Sequence, residues 1–155
     1  MASRREQIAM SADELRAFVD EQRIVSCATV GPGGRPHLVP LWYVRDGLDL
    51  RGWTYAASQK AKNLERDPRA TLQIEDGVAY EELRGVMLEC DVALEHEPDE
   101  VAEYGLALFA RYGDGGEVPP EVREMVVKQA GKRVGLTFTP TRTVSWDHRK
   151  LGGTY

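Results

Sequence analysis

One segment of the 155-residue chain brings together side chains that suit the binding of a phosphate group. It runs from Trp53 to Leu72, and Ser58 stands where a strand-like run gives way to a helix-like run. Serine is favoured just before the first turn of a helix, where the amide N–H groups lack intrahelical partners. Lys60 and Asn63 are three residues apart, so both project from the same side of that turn. The hydroxyl, the free amides, the ammonium and the carboxamide form a candidate anion site.

The same residues also fit a second interpretation, a capped surface helix whose lysines are solvated. Self-contained catalytic motifs do not occur in the sequence, which has no HExxH, GxSxG, Walker or GxGxxG pattern. The three histidines stand too far apart in sequence for a local metal motif, and Cys27 and Cys90 are expected to be small buried side chains. If the protein is an enzyme, we therefore expect a cofactor to supply the chemistry.

Composition and charge restrict the classes of ligand. The formal net charge is −5, and the stretch from Glu89 to Glu103 has seven carboxylates without a Lys or Arg, which argues against a nucleic-acid surface. Residues 58–69 and 142–150 are locally basic and suit a small anionic ligand better. The longest apolar run, Leu38–Val44, has seven residues against the roughly 20 that a bilayer span needs. Because the first ten residues lack an apolar signal segment, we expect a cytoplasmic protein.

Short strands joined by hairpins are expected to position these residues. Ser11 and Glu14 form a capping box that predicts the first helix. The predicted strands are Ile24–Val30, Pro36–Arg45, Leu48–Ala56, Arg69–Glu75, Arg84–Glu95, Arg133–Thr139 and Arg142–Trp146. The further predicted helices are Ser58–Arg66, Asp99–Tyr112 and Pro120–Lys132. This order predicts one mainly β domain over residues 1–155, an antiparallel barrel with peripheral helices, an N-terminal lead over 1–9 and a C-terminal tail over 148–155.

Three stretches of the chain resemble one family, the pyridoxamine 5'-phosphate oxidase-like split barrels. They are GPGGRPHLVPLWYV from Gly31, SQKAKNLERDP from Ser58 and VSWDHRKL from Val144. Together they are similar in particular to the actinobacterial branch that binds the deazaflavin coenzyme F420. The resemblance extends from Met10 to Leu151 and implies a six-stranded FMN-binding split barrel that forms a homodimer, with two cofactor sites at the dimer interface.

The resemblance also implies which residues contact the cofactor. Ser58, Lys60 and Asn63 correspond to residues that hold the cofactor phosphate, and Gln59 and Lys62 are expected to neighbour that phosphate, Gln59 as a further cofactor-binding residue. The expected contacts of the tricyclic ring are the consecutive strand residues Val39, Pro40, Leu41 and Trp42. The terminal residues expected to border the pocket are Trp146, Arg149 and Lys150. Both tryptophans also suit ordinary packing of a barrel.

Departures from the oxidase pattern bear on the substrate. Gln59 stands where true pyridoxamine phosphate oxidases carry an arginine, and His37 and Trp42 stand where basic residues flank the strand. The terminal Arg-x-His signature of those oxidases is also missing. Oxidation of vitamin B6 is therefore not expected, and fewer cations around the phosphate favour a cofactor other than FMN.

The implied activity is hydride transfer between the deazaflavin cofactor and a small electron-poor organic substrate. Tyr55, Tyr80 and Tyr104 are candidate proton donors, and no spacing selects one of them. One alternative is an FMN-binding oxidoreductase of the same fold. Another is a non-catalytic protein that binds a flavin, a deazaflavin or heme, with His37 or His148 as the heme ligand. A structural domain without a ligand is the remaining alternative, and it would make Lys60 and Asn63 dispensable.

Overall fold

Seven strands join into one antiparallel sheet in the computed structural model, which describes residues 1–153. The strands are β1 (Val25–Val30), β2 (Pro36–Leu41), β3 (Val44–Asp46), β4 (Asp49–Tyr55), β5 (Arg69–Asp76), β6 (Arg84–Glu95) and β7 (Arg133–Asp147). Their order in the sheet is β2-β1-β5-β6-β7-β4-β3. The two edge strands, β2 and β3, are consecutive in the chain, so the sheet curls until its edges meet at Trp42 and Tyr43. The mainly β, split-barrel fold with peripheral helices is thereby confirmed.

Two strand boundaries differ from the prediction. The predicted strand Pro36–Arg45 is wrong as one strand, because Tyr43 turns into the core, where it is 1% exposed and its hydroxyl donates to the Val19 carbonyl at 2.6 Å. The two strands predicted on either side of Pro140 form the single strand β7, whose register shifts between Glu89 and Cys90 of β6. An irregularity in the ladder tolerates the missing N–H of proline. One split and one fusion leave the number of strands at the seven predicted from the sequence, one more than the six that the family resemblance implies.

Within residues 1–153, five helices surround the sheet: α1 (Arg4–Ile8), α2 (Ala12–Glu21), α3 (Gln59–Arg66), α4 (Pro98–Tyr112) and α5 (Pro120–Ala130). Short 3-10 turns cover Tyr80–Glu82 and His148–Leu151. The capping box of Ser11 and Glu14 opens α2 as predicted. A second box, Ser3 with Glu6, opens α1 within the expected N-terminal lead. Of the C-terminal tail, Thr154 and Tyr155 lie outside the described residues.

The main core fills the inside of the barrel between α2, α3 and the strands. Its largest fully buried side chains include Phe18, Tyr43, Leu72, Ile74, Leu136 and Phe138. Cys27 and Cys90 are free and buried there, as predicted, and burial raises the pKa of their thiols to about 11 and about 12. Such thiols are inert, since the reactive form is the thiolate.

A second, smaller core lies between α4, α5 and the outer face of the sheet. Val101, Ala102 and Ala130 pack there with Trp53. Gly105 of α4 lies so close to Trp53 that an added Cβ would come within 2.4 Å of the indole ring. No helix within residues 1–153 has the length and apolar character needed to cross a bilayer.

Candidate anion and cofactor site

The amino end of α3 has the geometry that the sequence predicts. β4 ends at Tyr55, whose carbonyl accepts the Ser58 amide at 3.0 Å, and the chain then turns into the helix. Ser58 Oγ accepts the Ala61 amide at 3.1 Å and the Thr54 hydroxyl at 3.2 Å. Because both of those bonds use its oxygen as acceptor, the Ser58 hydroxyl hydrogen stays available for a ligand. The Gln59 and Lys60 amides of the first turn are likewise unpaired within the described chain.

Lys60 is a positively charged residue in the first turn of α3, and its side chain is largely buried. Its residue is only 6% exposed, yet no hydrogen bond or ion pair joins its ammonium to any described residue. Burial lowers the pKa of Lys60, and the neighbouring Cys27 thiol acts weakly in the opposite direction. Partial removal of the ammonium from water without a partner costs free energy, and a bound anion would offset that cost.

Asn63 connects α3 to β1. It is fully buried, and its Nδ2 donates to Thr29 Oγ1 at 3.0 Å. Its Oδ1 accepts Gln59 Nε2 at 2.8 Å, which orients Gln59 across the first turn. Asn63 therefore positions the helix in this structure, and its direct contact with a phosphate stays a prediction.

The strand β2 runs from this corner along a free edge of the sheet. Val39 and Leu41 turn half-buried toward the core side, while Pro40 is exposed on the other side. The four residues Val39–Trp42 thus offer two different faces, and only alternate side chains can contact one face of a ring.

Trp42 forms an aromatic surface at the far end of β2. Its indole is 45% exposed and stacks on Tyr112 with centroids 4.3 Å apart and an interplanar angle of 11°. The Tyr112 hydroxyl is held by the Arg23 carbonyl at 2.6 Å and by the Arg111 guanidinium at 2.8 Å. These hydrogen bonds hold the Tyr112 ring, and the Trp42 indole stacks on that ring. His37 near the start of β2 and Trp42 just after its end are five residues apart, a span of about 17 Å, so only an extended ligand could contact both.

Trp146, Arg149 and Lys150 are not brought to this corner within one chain. Trp146 pairs with Gly85 at the start of β6. The end of β7 that adjoins β4 and the α3 corner instead pairs with the other end of β6, where Gly135 is opposite Glu95. These positions are ten residues apart along β6, or about 33 Å if the strand were straight.

Arg149 and Lys150 have local partners at that far end of the barrel. Arg149 forms an ion pair with Asp147 at 2.7 Å, and its hydrogen bonds lower the pKa of that carboxyl. Lys150 Nζ contacts the Ala9 carbonyl at 2.7 Å and Glu14 at 2.6 Å. Lys150 therefore ties the two ends of the chain together, whereas Arg149 is held within the C-terminal segment.

The two histidines considered as heme ligands also lie apart. His37 is opposite Thr29 on the neighbouring strand, and its Nδ1 is buried without a hydrogen-bond partner. His148 lies at the far end of the barrel, where its Nδ1 is 2.8 Å from the Tyr80 carbonyl oxygen.

The structure adds one cation that sequence analysis missed. Arg133 begins β7 directly opposite Tyr55, beside the turn that leads to Ser58. The alternation of Trp53 and Tyr55 indicates a shared aromatic face. Nothing in the local sequence shows that Arg133 lies against that face, because the pairing joins distant parts of the chain.

Comparison with known proteins assigns the family. A family model described as pyridoxamine 5'-phosphate oxidase matches residues 11–147. The chain belongs to this family. The resemblance stated from three sequence stretches is thus confirmed. Among curated proteins, none matches the chain at a significant level.

Solved structures of this family's fold differ in what they bind. A conserved hypothetical protein of Mycobacterium tuberculosis, Rv2991, is 40% identical over 99% of this chain and 95% of its own, with a TM-score of 0.89. A structure named F420 reductase is 23% identical over 83% of this chain and 94% of its own, with a TM-score of 0.64. The heme storage protein HutZ of Vibrio cholerae is 16% identical over 86% of this chain and 94% of its own, with a TM-score of 0.68. The latter two likenesses show the fold alone.

Proposed function

We propose that the protein binds coenzyme F420 and transfers hydride between this deazaflavin and a small electron-poor organic substrate. The observation that carries the proposal is the largely buried Lys60 side chain in the first turn of α3, whose ammonium has no counter-ion among the described residues. The residues present fit a cofactor phosphate, because the first turn of α3 carries free amides, the Ser58 hydroxyl hydrogen and a lysine without a counter-ion among the described residues. The existence of a fold relative named F420 reductase supports the choice of cofactor.

Each residue at the α3 end has a distinct part in holding the phosphate. The Gln59 and Lys60 amides and the Ser58 hydroxyl donate to its oxygens, and the Lys60 side chain neutralises its charge. Asn63 holds the helix against β1 so that these donors keep their directions.

The edge strand β2 and Trp42 orient the tricyclic ring. Their apolar side chains exclude water from one ring face, and the support of Trp42 by Tyr112 fixes the angle of that face. When bound, the deazaflavin supplies hydride rather than single-electron chemistry, because a carbon replaces the central flavin nitrogen. The protein's contribution is orientation and exclusion of water, and solvent serves as the source of the proton.

A homodimer is part of the proposal. Leu38 and Pro40 expose apolar surface on the outer side of β2, next to Trp42. Trp146 and Arg149 lie at the far end of the barrel, so their predicted place beside the cofactor requires a second copy of the chain. A cofactor site at the interface satisfies both features.

FMN is the second candidate ligand, since the same helix end accommodates any phosphate monoester and the fold is shared. The F420 reductase that shares this fold favours the deazaflavin.

The experiment that tests the phosphate assignment compares two lysines of α3. Lys60→Ala removes the buried ammonium, and we expect the affinity for F420 to fall at least tenfold, the usual effect of losing a charge-assisted hydrogen bond worth about 1.5–3 kcal/mol. Lys62→Ala removes an exposed lysine of the same helix and should change the affinity less than about threefold. Fluorescence titration measures both. Equal F420 affinities of the wild type and Lys60→Ala would contradict the assignment of the phosphate to this site.

A further inference from the structure

Arg133 is held by aromatic side chains on the outer face of the sheet. Its guanidinium carbon lies 3.9 Å from the ring centroid of Tyr55 and 4.5 Å from that of Trp53. The pairing of Tyr55 with Arg133 across β4 and β7 places all three side chains on the same face. Stacking on rings restrains the guanidinium plane but uses none of its N–H groups.

The hydrogen-bonding edge of Arg133 is unused by the described chain. No hydrogen bond or ion pair from its nitrogens reaches a residue within 1–153, and its Nε is buried without a partner. Glu95 of β6, two strands away from Tyr55 in the same sheet, forms no ion pair with Arg133 among the described residues. Its carboxylate accepts the Glu97 amide at 3.1 Å. Gln129 Oε1, at the end of α5 just before this strand, is also buried and unpartnered. A preorganised guanidinium with free donors is a binding group for a planar anion.

Arg133 adjoins the α3 end. The Ala56 amide donates to the Lys132 carbonyl at 2.9 Å, and the Ser58 amide donates to the Tyr55 carbonyl at 3.0 Å. The backbone before Arg133 is thus joined to the turn over residues 55–58 that leads into α3. The Arg133 guanidinium lies on Trp53 and Tyr55, whereas the Lys60 side chain lies beside Cys27, so a ligand that contacts both must extend around this turn.

Three cations belong to the segments that meet at this corner, and no salt bridge within the described residues involves any of them. They are Lys60, Lys132 and Arg133. The segments 55–64 and 129–138 that carry them contain no Asp or Glu, although the chain as a whole has a net charge of −5. This concentration of unpaired positive charge favours a ligand with more than one anionic group.

We propose that Arg133 binds a carboxylate of the same ligand whose phosphate lies at the amino end of α3. The inference rests on the proposed function and deepens it, because it assigns a residue to cofactor selection. Coenzyme F420 carries glutamyl carboxylates beyond its phosphate, whereas FMN has a phosphate and no carboxylate. The planar N–H edge of arginine matches a carboxylate in two parallel hydrogen bonds. Arg133 therefore selects F420 over FMN, while Lys60 serves both.

The test measures the affinities of Arg133→Met for F420 and for FMN by fluorescence titration. Methionine keeps an apolar stem against Trp53 and Tyr55 and removes the charge and the donors. We expect the F420 affinity to fall at least tenfold and the FMN affinity to change less than about threefold. Arg133→Lys keeps the charge without the planar edge and should recover only part of the loss. Arg123→Met, an exposed change on α5, should alter neither affinity.

The outcomes separate this inference from the function on which it rests. A wild-type protein that binds F420, together with an Arg133→Met variant of unchanged F420 affinity, overturns the role of Arg133 alone. An equal loss of affinity for F420 and for FMN in Arg133→Met also overturns it, because the substitution would then act through the overall charge or the packing of the site and not through a carboxylate of F420. A wild-type protein that binds neither ligand overturns the proposed function and this inference together. Thermal unfolding of each variant checks that the fold is intact.

Discussion

Lys60 occupies a position that favours ligand binding at the expense of the stability of the ligand-free protein. Its ammonium is buried beside Cys27 without a counter-ion among the described residues, and burial lowers its pKa. Sites of this kind hold strain that a ligand relieves. Ser58 and Lys60 could be identified from sequence because the serine cap and the spacing of the helix are local signals.

We expect Lys60→Met to stabilise the ligand-free protein at neutral pH by roughly 1 kcal/mol or more, because folding no longer buries an unpaired charge. In the wild type the folded state loses the Lys60 proton at a lower pH than the unfolded state, whose pKa has the ordinary value of 10.5. The unfolded state then binds more protons within that interval, so stability contributed by this residue should rise with pH. The variant should lack this rise.

Chemical denaturation at about pH 7 and about pH 10 measures both effects. Lys62→Met is the matched control, since Lys62 is exposed on the same helix and should change stability little at either pH. A Lys60→Met protein that is less stable than wild type at neutral pH would show that the ammonium already has a stabilising partner.

The strand β2 links the candidate site to the state of assembly. Among the described strands it pairs with β1 alone, and two of its six residues are prolines, which supply no N–H to a further strand. Its apolar outer face is therefore suited to side-chain packing rather than to extension of the sheet.

Two leucines test this role of β2, because Leu38 on its outer face and Leu48 in the β3–β4 turn are both 67% exposed. We expect Leu38→Glu to convert a wild-type dimer into monomers, since a carboxylate would be buried at the interface. Leu48→Glu should leave the dimer intact. Sedimentation velocity at several concentrations distinguishes these outcomes, and a monomeric wild-type protein would contradict the proposed interface.

The elements that sequence could not predict depend on tertiary contacts. The break after Leu41 follows from the burial of Tyr43 against the carbonyl groups at the end of α2, and no residue in the predicted strand marks it. Pro140 indicates a boundary in isolation, yet the irregular register against β6 keeps β7 continuous. By contrast, α1 has a Ser3–Glu6 capping box that a search for this local signal would find.

At the scale of the whole molecule, the barrel separates two basic regions that the sequence presents as one candidate pocket. Lys60 lies at the end of the barrel where β4 and β6 finish, and Arg149 lies where β6 begins. Their separation was unpredictable from sequence, because it follows from the length and register of β6. The position of Arg133 near the Lys60 end of the barrel was equally unpredictable, because it follows from the register in which Tyr55 of β4 pairs with Arg133 of β7.

The central claim is that the corner at α3 holds the phosphate of a deazaflavin cofactor. Titration of the purified wild-type protein with oxidised F420, and with FMN in parallel, tests it most directly through the fluorescence of the ligands. We predict micromolar or tighter binding of F420 and weaker binding of FMN, because Lys60 serves both ligands and Arg133 only the first. Binding of neither ligand, or a preference for FMN, would contradict the claim.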